Sequence, residues 1–239
     1  MSCDSNRRRL IGLAAGAAMV VAGPLRTARP AEHEEMEVLA VEDLMREHGI
    51  LRRALLVYAE AAARLLKGSS EVPAEALGRT AALFRSFGED YHERGLEEKH
   101  VFPPLLKAGG ANAALARTLT VQHQRGRDIT DYVAAIARRG RIGTAEARPI
   151  ADTLTAFVRM YEHHAAIEDT VIFPAWKKAI SAAEYRELSD QFEDLEHRFF
   201  GADGFEDALA RIGLIEQAFG LADLAALTAP EPPAITTHD

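Results

Sequence analysis

Histidine and carboxylate residues recur along this chain with the types and the spacing of a metal site that is built twice. Six residues form the set: His48, His92 and Glu97 in the first copy, and His123, His164 and Glu168 in the second. Imidazole nitrogen combined with carboxylate oxygen suits iron and related transition metals. Each copy also ends in a Phe-Pro pair, at 102–103 and 173–174, so an internal duplication of a helix pair is predicted. Two copies supply enough donors for two metal ions.

The spacing inside each copy decides whether its donors can reach one ion. His164 and Glu168 are four residues apart, which places them on one face of an α-helix. His92 and Glu97 are five residues apart, so about 140° separates them on a regular α-helix. A one-residue π-bulge near Gly95 would return them to one face, and such bulges often occur at functional sites. We therefore predict a π-bulge there.

Two neighbouring residues are alternative ligands. Glu93 lies four residues before Glu97 and could replace His92, although a carboxylate-only pair would break the match between the copies. His163 stands directly beside His164 and is the second alternative. We favour His92 because it preserves the correspondence between the two copies. We favour His164 because His163 is five residues from Glu168 and is expected to lie behind the ligands or to be exposed.

The other polar and aromatic candidates have simpler interpretations. His100 is expected on the surface, and His197 is expected to form a solvated pair with Glu193 on one helix. Three aromatic residues are expected in the core: Tyr91, Tyr161 and Trp176. The two tyrosines adjoin ligands, so hydrogen bonding or radical chemistry is the alternative role for them.

Four long helices are needed to position the site. Apolar residues recur at spacings of three and four in four segments, near 34–67, 74–108, 112–140 and 146–179. A single histidine on such an apolar stripe is usually a hydrogen-bonded core residue, but four on consecutive helices favour a metal site. The predicted fold is all-α, an up-down-up-down four-helix bundle with additional C-terminal helices.

The predicted organisation has four parts. Residues 1–31 form a signal peptide or an anchor, and residues 32–180 form the metal-binding bundle. Residues 181–226 form a C-terminal helical extension, with helices near 181–200 and 205–219, and residues 227–239 form a flexible tail. Ser181 and Glu184 have the spacing of a capping box at the start of the extension.

The N-terminal residues predict export. Three arginines at 7–9 precede an apolar run at 10–23 that is too short for an ordinary membrane span. The arginines and the start of this run resemble a twin-arginine signal. An uncleaved anchor is the alternative. The expected location is the periplasm, with no stable membrane insertion once the signal is removed. Cys3 is the only cysteine, so the exported protein would hold a metal through nitrogen and oxygen alone.

The charge of the chain argues against a nucleic-acid partner. The formal net charge is −8, and residues 1–30 contribute +4, so the remaining chain carries −12. Phosphate backbones require a basic face, whereas an acidic protein attracts cations.

The segments that carry the site resemble a known family. The matching segments are Leu44-Met45-Arg46-Glu47-His48, Tyr91-His92 through Phe102-Pro103, Gln122-His123-Gln124-Arg125-Gly126, and His164 through Pro174. With C-terminal segments included, the likeness covers roughly residues 38–226. The chain resembles hemerythrin-like proteins of the HHE cation-binding type. That resemblance implies a four-helix bundle with a non-haem di-iron centre, in which the six residues of the doubled pattern are the ligands and zinc or manganese are other acceptable metals.

One departure from the family bears on function. The oxygen carriers have a further histidine one turn beyond the third-helix ligand, and this chain has Arg127 there. Two octahedral irons need about twelve donor atoms, and four imidazoles, two bridging carboxylates and a bridging oxygen supply about ten. The open positions favour a protein that reacts with or senses oxygen or peroxide over one that stores oxygen. Any turnover would then be that of a di-iron oxidoreductase or peroxidase.

Two other classes of protein compete with this interpretation. A non-catalytic periplasmic module that binds or stores iron or another metal is the alternative function. A ferritin-like carboxylate bundle requires Glu-x-x-His on two separate helices. Both such pairs, at 89–92 and 97–100, lie on the predicted second helix, so the sequence lacks the ferritin pattern.

Overall fold

The computed structural model describes residues 38–68, 72–201 and 203–233, which form helices and short connections without any strand in those ranges. The predicted signal or anchor at 1–31, Cys3 and the end of the tail lie outside the described residues. Six helices follow in order: α1 at Ala40–Leu66, α2 at 74–108, α3 at Gly110–Ala137, α4 at 144–179, α5 at Ala182–Phe200 and α6 at Gly204–Phe219. A short 3₁₀ turn at Ala225–Leu227 ends the described part. The all-α prediction is confirmed.

The helix boundaries differ from the predicted ones by a few residues. Helix α1 begins at Ala40, not near 34, since Val38 and Leu39 are not helical and residues 34–37 lie outside the described residues. Gly109 and Gly110 have φ of 78° and 72°, values that glycine adopts without strain. They turn the chain sharply between α2 and α3, so α3 begins two residues earlier than expected.

Two of the long helices change their hydrogen-bond register around the site. Helix α2 is α-helical at Ala74–Leu83, π-helical at Phe84–Val101 and α-helical again at Phe102–Ala108. Helix α4 is α-helical at Thr144–Ile167, π-helical at Glu168–Ile172 and α-helical at Phe173–Ala179. The one-residue bulge predicted near Gly95 is therefore part of an 18-residue π segment, and the π segment of α4 was not predicted.

The Phe-Pro pairs account for where both π segments end. Each α-helical register resumes at the phenylalanine, and the proline follows at the next position, Pro103 in α2 and Pro174 in α4. Proline has no N–H, and its ring crowds the carbonyl four residues earlier, so regular i→i−4 bonding is disfavoured immediately upstream. The i→i+5 bonding of a π-helix is compatible with that gap.

The core lies between the four long helices. Helix α1 packs most extensively against α4, and α2 packs against α3, as in a bundle of antiparallel neighbours. Tyr58, Phe84 and Phe157 from three of these helices form a buried aromatic cluster with ring centroids 5.1–5.5 Å apart. This cluster adds rigid apolar packing beside the polar residues of the site.

Helices α5 and α6 pack mainly against α1 and α2. Ser181 caps α5 by accepting a hydrogen bond from the backbone N–H of Glu184 at 3.1 Å, which confirms the predicted cap. Asp203 caps α6 in the same manner, through the N–H of Glu206 at 3.0 Å. None of the helices in the described ranges combines the length and the apolar character that crossing a membrane requires.

Candidate metal centre

The bundle brings all six predicted site residues into one buried cluster. They come from all four long helices: His48 from α1, His92 and Glu97 from α2, His123 from α3, and His164 and Glu168 from α4. None of the six is more than 3% exposed. The cluster is therefore assembled by the fold, since residues from the two ends of the sequence pattern meet only in the bundle core.

The histidines form two facing pairs. The Nε2 atoms of His48 and His92 lie 3.0 Å apart, and we call the space beside them the first metal position. The Nε2 atoms of His123 and His164 lie 3.1 Å apart beside the second metal position. Each pair therefore unites the two histidines of one sequence copy.

The two glutamates lie between the histidine pairs. Glu97 places Oε1 3.4 Å from Nε2 of His92 and Oε2 3.3 Å from Nε2 of His123, so it spans both positions. Glu168 places Oε2 3.4 Å from His48 and 3.1 Å from His164, also at Nε2 in each case. Both carboxylates have the placement of bridges between two ions. The i→i+5 register of the π segment turns Glu97 onto the same side of α2 as His92.

These separations are those of donor atoms that share an ion. Two donors bound about 2.1 Å from one ion at 90–110° are about 3.0–3.4 Å apart. The observed nitrogen–nitrogen and nitrogen–oxygen distances of 3.0–3.4 Å fall in that range. The cluster therefore fits metal ions in both positions.

Hydrogen bonding also demands a cation at the centre. Asp169 faces Nδ1 of His48 at 2.7 Å, and Glu47 faces Nδ1 of His92 at 2.6 Å. A carboxylate can only accept, so each Nδ1 is the donor, and a neutral ring then presents the lone pair of Nε2. Two lone pairs 3.0 Å apart repel unless a proton or a metal ion lies between them.

The bridging carboxylates lack any other partner. Within the described part of the chain, the four oxygens of Glu97 and Glu168 make no hydrogen bond of acceptable geometry, although all four are buried. Burying an ionised carboxylate without a compensating partner lowers the stability of the folded protein by roughly several kcal/mol. Metal coordination would satisfy these oxygens, and this is the clearest sign in the structure of an ion-binding function.

The carboxylates of the site also raise the pKa values of His92 and His123. Burial opposes protonation of His123, but the charge of Glu93, the nearby carboxylate of Glu97 and the hydrogen bond to Glu98 outweigh it and raise its pKa to about 10. Burial likewise opposes protonation of His92, yet the charge of Glu97 and the hydrogen bond to Glu47 raise its pKa well above the usual value. Without metal, the histidines of the cluster therefore hold protons in place of metal ions.

A second layer of residues orients the four imidazoles. Each Nδ1 faces one oxygen, supplied to His48 by Asp169, to His92 by Glu47, to His123 by Glu98 and to His164 by Gln122. The distances are 2.6–2.9 Å. Such partners fix the ring orientation and strengthen the imidazole as a donor to metal. Sequence reasoning missed this role, although all four residues stand directly beside a ligand in the chain.

A small cavity adjoins the first metal position. Its volume is about 10 Å³, and its walls include the rings of His48, His92 and His164 together with Leu51 and Leu55. A space of about 10–15 Å³ holds one water-sized molecule. The cavity can therefore admit a ligand no larger than a few atoms.

Tyr161 and Glu93 also belong to the cavity wall. The Tyr161 hydroxyl donates to Oε1 of Glu93 at 2.5 Å. Burial raises the pKa of Glu93 to about 7, against the opposing charges of His123 and Arg127 and the hydrogen bond from Tyr161. Glu93 is therefore engaged by Tyr161 and Arg127 beside the cluster, and Tyr161 combines core packing with a hydrogen bond.

Arg127 stands at the sequence position where the oxygen carriers are expected to have another histidine. Its Nη2 lies 3.0 Å from Oε2 of Glu93 and 2.5 Å from Oε1 of Glu98, and the residue is 6% exposed. Glu93, Glu98 and His123 could otherwise form a third cation site, since their donor atoms lie within 4.8 Å of one another. The guanidinium supplies the positive charge there instead.

The remaining predictions have mixed outcomes. His163 and His197 are exposed, and Trp176 and Tyr91 are buried, as expected. His100 is half-buried, with its ring 5.5 Å from that of Phe192 on α5, so it is less exposed than predicted. Helix α5 covers His100, and its position could not be read from the local sequence.

Comparison with known proteins agrees with this architecture. A sequence model of the hemerythrin HHE cation-binding domain matches residues 39–176, and the same domain matches again at 114–213. The uncharacterized proteins Rv1995 of Mycobacterium tuberculosis and Mb2018 of Mycobacterium bovis are each 41% identical to this chain over 233 residues. These alignments cover 93% of this chain and 90% of each relative. No solved structure matches the chain.

The two domain matches overlap in the second half of the site. The second match begins at residue 114, inside α3, where the second copy of the pattern starts. The first match covers more than half of the chain and contains all six clustered residues. With paired histidines and bridging carboxylates in a helical bundle, this cation-binding chain belongs to the hemerythrin HHE family.

Proposed function

We propose that this chain is an exported non-haem di-iron protein that reacts with or senses dioxygen or peroxide. The observation that carries the proposal is the arrangement of His48, His92, His123 and His164 in two facing pairs with Glu97 and Glu168 between them. Two histidines with carboxylate oxygen at each position approach the donor set of non-haem iron sites that keep positions open.

The number of donors favours iron as the working metal. Each position has two imidazoles and shares two carboxylates, so the protein offers about four donors per ion. Four donors would close a tetrahedral zinc site, whereas six-coordinate iron would retain open positions. Bound iron supplies the capacity to exchange electrons with dioxygen or peroxide at those positions.

The surrounding residues favour a reactive or sensing role over bulk oxygen storage. Arg127 is held by Glu93 and Glu98 and gives no donor to the second position, so that position lacks the extra histidine of a carrier. The cavity near the first position is lined by Tyr161 and Glu93, two residues whose polar groups can orient a small oxygen ligand through hydrogen bonds. Leu51 and Leu55 add apolar lining to the same cavity.

The alternative of an iron store receives less support. The six clustered residues surround space for two ions, and the adjoining cavity of about 10 Å³ has no room for a growing mineral. A simple metal-binding module without turnover would have the same cluster of six residues. It would differ from the proposed reactive or sensing protein only in its response to oxidants.

Metal analysis and optical spectroscopy test the proposal directly. The purified protein should contain two irons per chain and absorb in the near ultraviolet and visible, and the spectrum should change when hydrogen peroxide is added. Absence of iron after anaerobic loading with ferrous iron would overturn the di-iron assignment. An iron-loaded protein whose spectrum is indifferent to peroxide and to dioxygen would support the passive binding module instead.

The export part of the proposal depends on residues 1–31. Its support is the run of three arginines at 7–9 and the apolar stretch that follows it. Replacement of Arg7 and Arg8 by lysine should retain the folded protein in the cytoplasm of a bacterium with a twin-arginine pathway. Unchanged recovery from the periplasm would contradict that route.

A further inference from the structure

The residues behind the four imidazoles follow an approximate twofold pattern. The residue before the first histidine of a copy faces Nδ1 of the second histidine: Glu47 faces His92 at 2.6 Å, and Gln122 faces His164 at 2.9 Å. The two copies therefore use a carboxylate and an amide for the same task. This is a chemical difference between otherwise matching positions.

The other half of the pattern has the same chemistry in both copies. Glu98 faces His123 at 2.9 Å and Asp169 faces His48 at 2.7 Å, each across the copies. Each of these carboxylates also pairs with an arginine, Arg127 with Glu98 and Arg52 with Asp169. Their contributions to the two metal positions are therefore similar, and the difference between Glu47 and Gln122 remains.

That difference should act on the metal through His92 and His164. A carboxylate that accepts the Nδ1 proton increases the basicity of the imidazole, so its Nε2 becomes a stronger donor. A neutral amide orients the ring but increases its basicity less. Glu47 is fully buried, so water screens its charge little, whereas Gln122 is half-buried.

We propose that Gln122 makes the two metal positions unequal, with the first position binding its ion more tightly than the second. The inference rests on the proposed function in that it requires two ions per chain. The first position also holds the more highly charged ion when one iron is ferric and the other ferrous. Gln122 is a positioning residue, since it reaches the metal only through His164.

Exchange of the two side chains tests this inference with a matched control. Variants Q122E, E47Q and the double exchange E47Q/Q122E should be compared with the wild type, and the double exchange keeps the net charge unchanged. Cobalt(II) and iron(II), each loaded without oxygen, serve as probes, and a chelator removes them. Circular dichroism checks that each variant retains its helices.

The wild type should lose its ions in two steps whose apparent affinities differ on the order of 10–100-fold. Q122E should bring the two steps together by strengthening the second position, and E47Q should do so by weakening the first. In the double exchange the steps should separate again. Mössbauer spectra of the wild type loaded first with one equivalent of ⁵⁷Fe should show one dominant environment.

The order of filling can be assigned with single-ligand variants. In His164→Gln the tight step should persist, and in His92→Gln it should be lost, because His92 belongs to the first position and His164 to the second. Equal release of both ions from the wild type, or an unchanged ratio of the two steps in Q122E, would overturn the inference. Tight binding of two cobalt ions with rejection of iron would defeat the di-iron proposal while still allowing the two positions to be compared.

Discussion

Gly126 on α3 leaves the space that the hydroxyl of Tyr161 on α4 occupies. A Cβ at position 126 would lie 2.2 Å from that hydroxyl oxygen, which is far inside contact distance. The absence of a side chain at Gly126 therefore allows Tyr161 to reach Glu93 and to line the cavity at the first metal position.

Gly126→Ala should displace Tyr161 and destabilise the protein. In an exposed helix, alanine in place of glycine usually adds about 1 kcal/mol of stability. Here the clash in the core should reverse the sign, with a net loss of about 1–3 kcal/mol. Chemical denaturation measures the difference, and Gly213→Ala on α6 is the control, because the Cβ that alanine adds there meets no neighbouring side chain within 4 Å. Equal stabilisation by both substitutions would contradict the tight fit of Tyr161.

His123→Ala should release metal without unfolding the bundle. His123 lies within 4 Å of both bridging glutamates, so its loss weakens the second position and the bridges that both positions share. We expect metal content to fall from two ions per chain to one or none, with the helical circular dichroism retained. His163→Ala, which changes an exposed residue on α4, should keep two ions. Full metal content in His123→Ala would exclude His123 as a ligand.

The six clustered residues could be predicted from the sequence because their spacing is a local property of each helix. The separation of four between His164 and Glu168 gives a common face, and the separation of five between His92 and Glu97 signals a change in register. The extent of the change could not be predicted, since α and π segments differ in hydrogen-bond partners and not in apolar pattern. The Phe-Pro pairs were visible, but they mark only where the register returns.

The residues behind the imidazoles could not be assigned from sequence for a different reason. Glu98 and Asp169 each face a histidine of the other copy, more than 20 residues away along the chain. Their roles follow from which helices are neighbours and how those helices are rotated, and these are tertiary properties. Adjacency to a ligand was the available signal, and it would also have pointed to Glu47 and Gln122.

Arg127→Met should destabilise the bundle far more than loss of an exposed arginine. The substitution leaves Glu93 and Glu98 without the guanidinium that they share, and Glu93 is 2% exposed. Removing one partner from a buried ion pair costs about 3–5 kcal/mol. Arg79→Met breaks the pair with exposed Glu75 and should cost at most about 1 kcal/mol. Urea denaturation measures the free energy of unfolding of both variants. Similar losses of stability in the two would show that the buried ion pair contributes little to the stability of the bundle.

Metal binding should become tighter as the pH rises from neutral. Burial lowers the pKa of His123, but Glu93, Glu97 and Glu98 outweigh burial and raise that pKa to about 10. The metal-free protein therefore holds a proton on His123. A metal ion must displace that proton to reach Nε2, so binding should release protons at pH 7. Calorimetry with cobalt(II) in buffers of different ionisation enthalpy measures the number released, and a value of zero would contradict protonation of the cluster.

The same group should make the metal-free protein less stable in alkali. Because the folded-state pKa of His123 lies above the ordinary value of 6.5, its contribution to stability is complete below pH 6.5 and is lost as the pH rises through about 10. Urea denaturation of metal-free protein should therefore show declining stability between those pH values. Metal-loaded protein should decline less over that range, because its histidines bind metal and carry no exchangeable proton at Nε2. A metal-free protein that becomes more stable from pH 6.5 to 10 would show that carboxylates do not hold a proton on this ring.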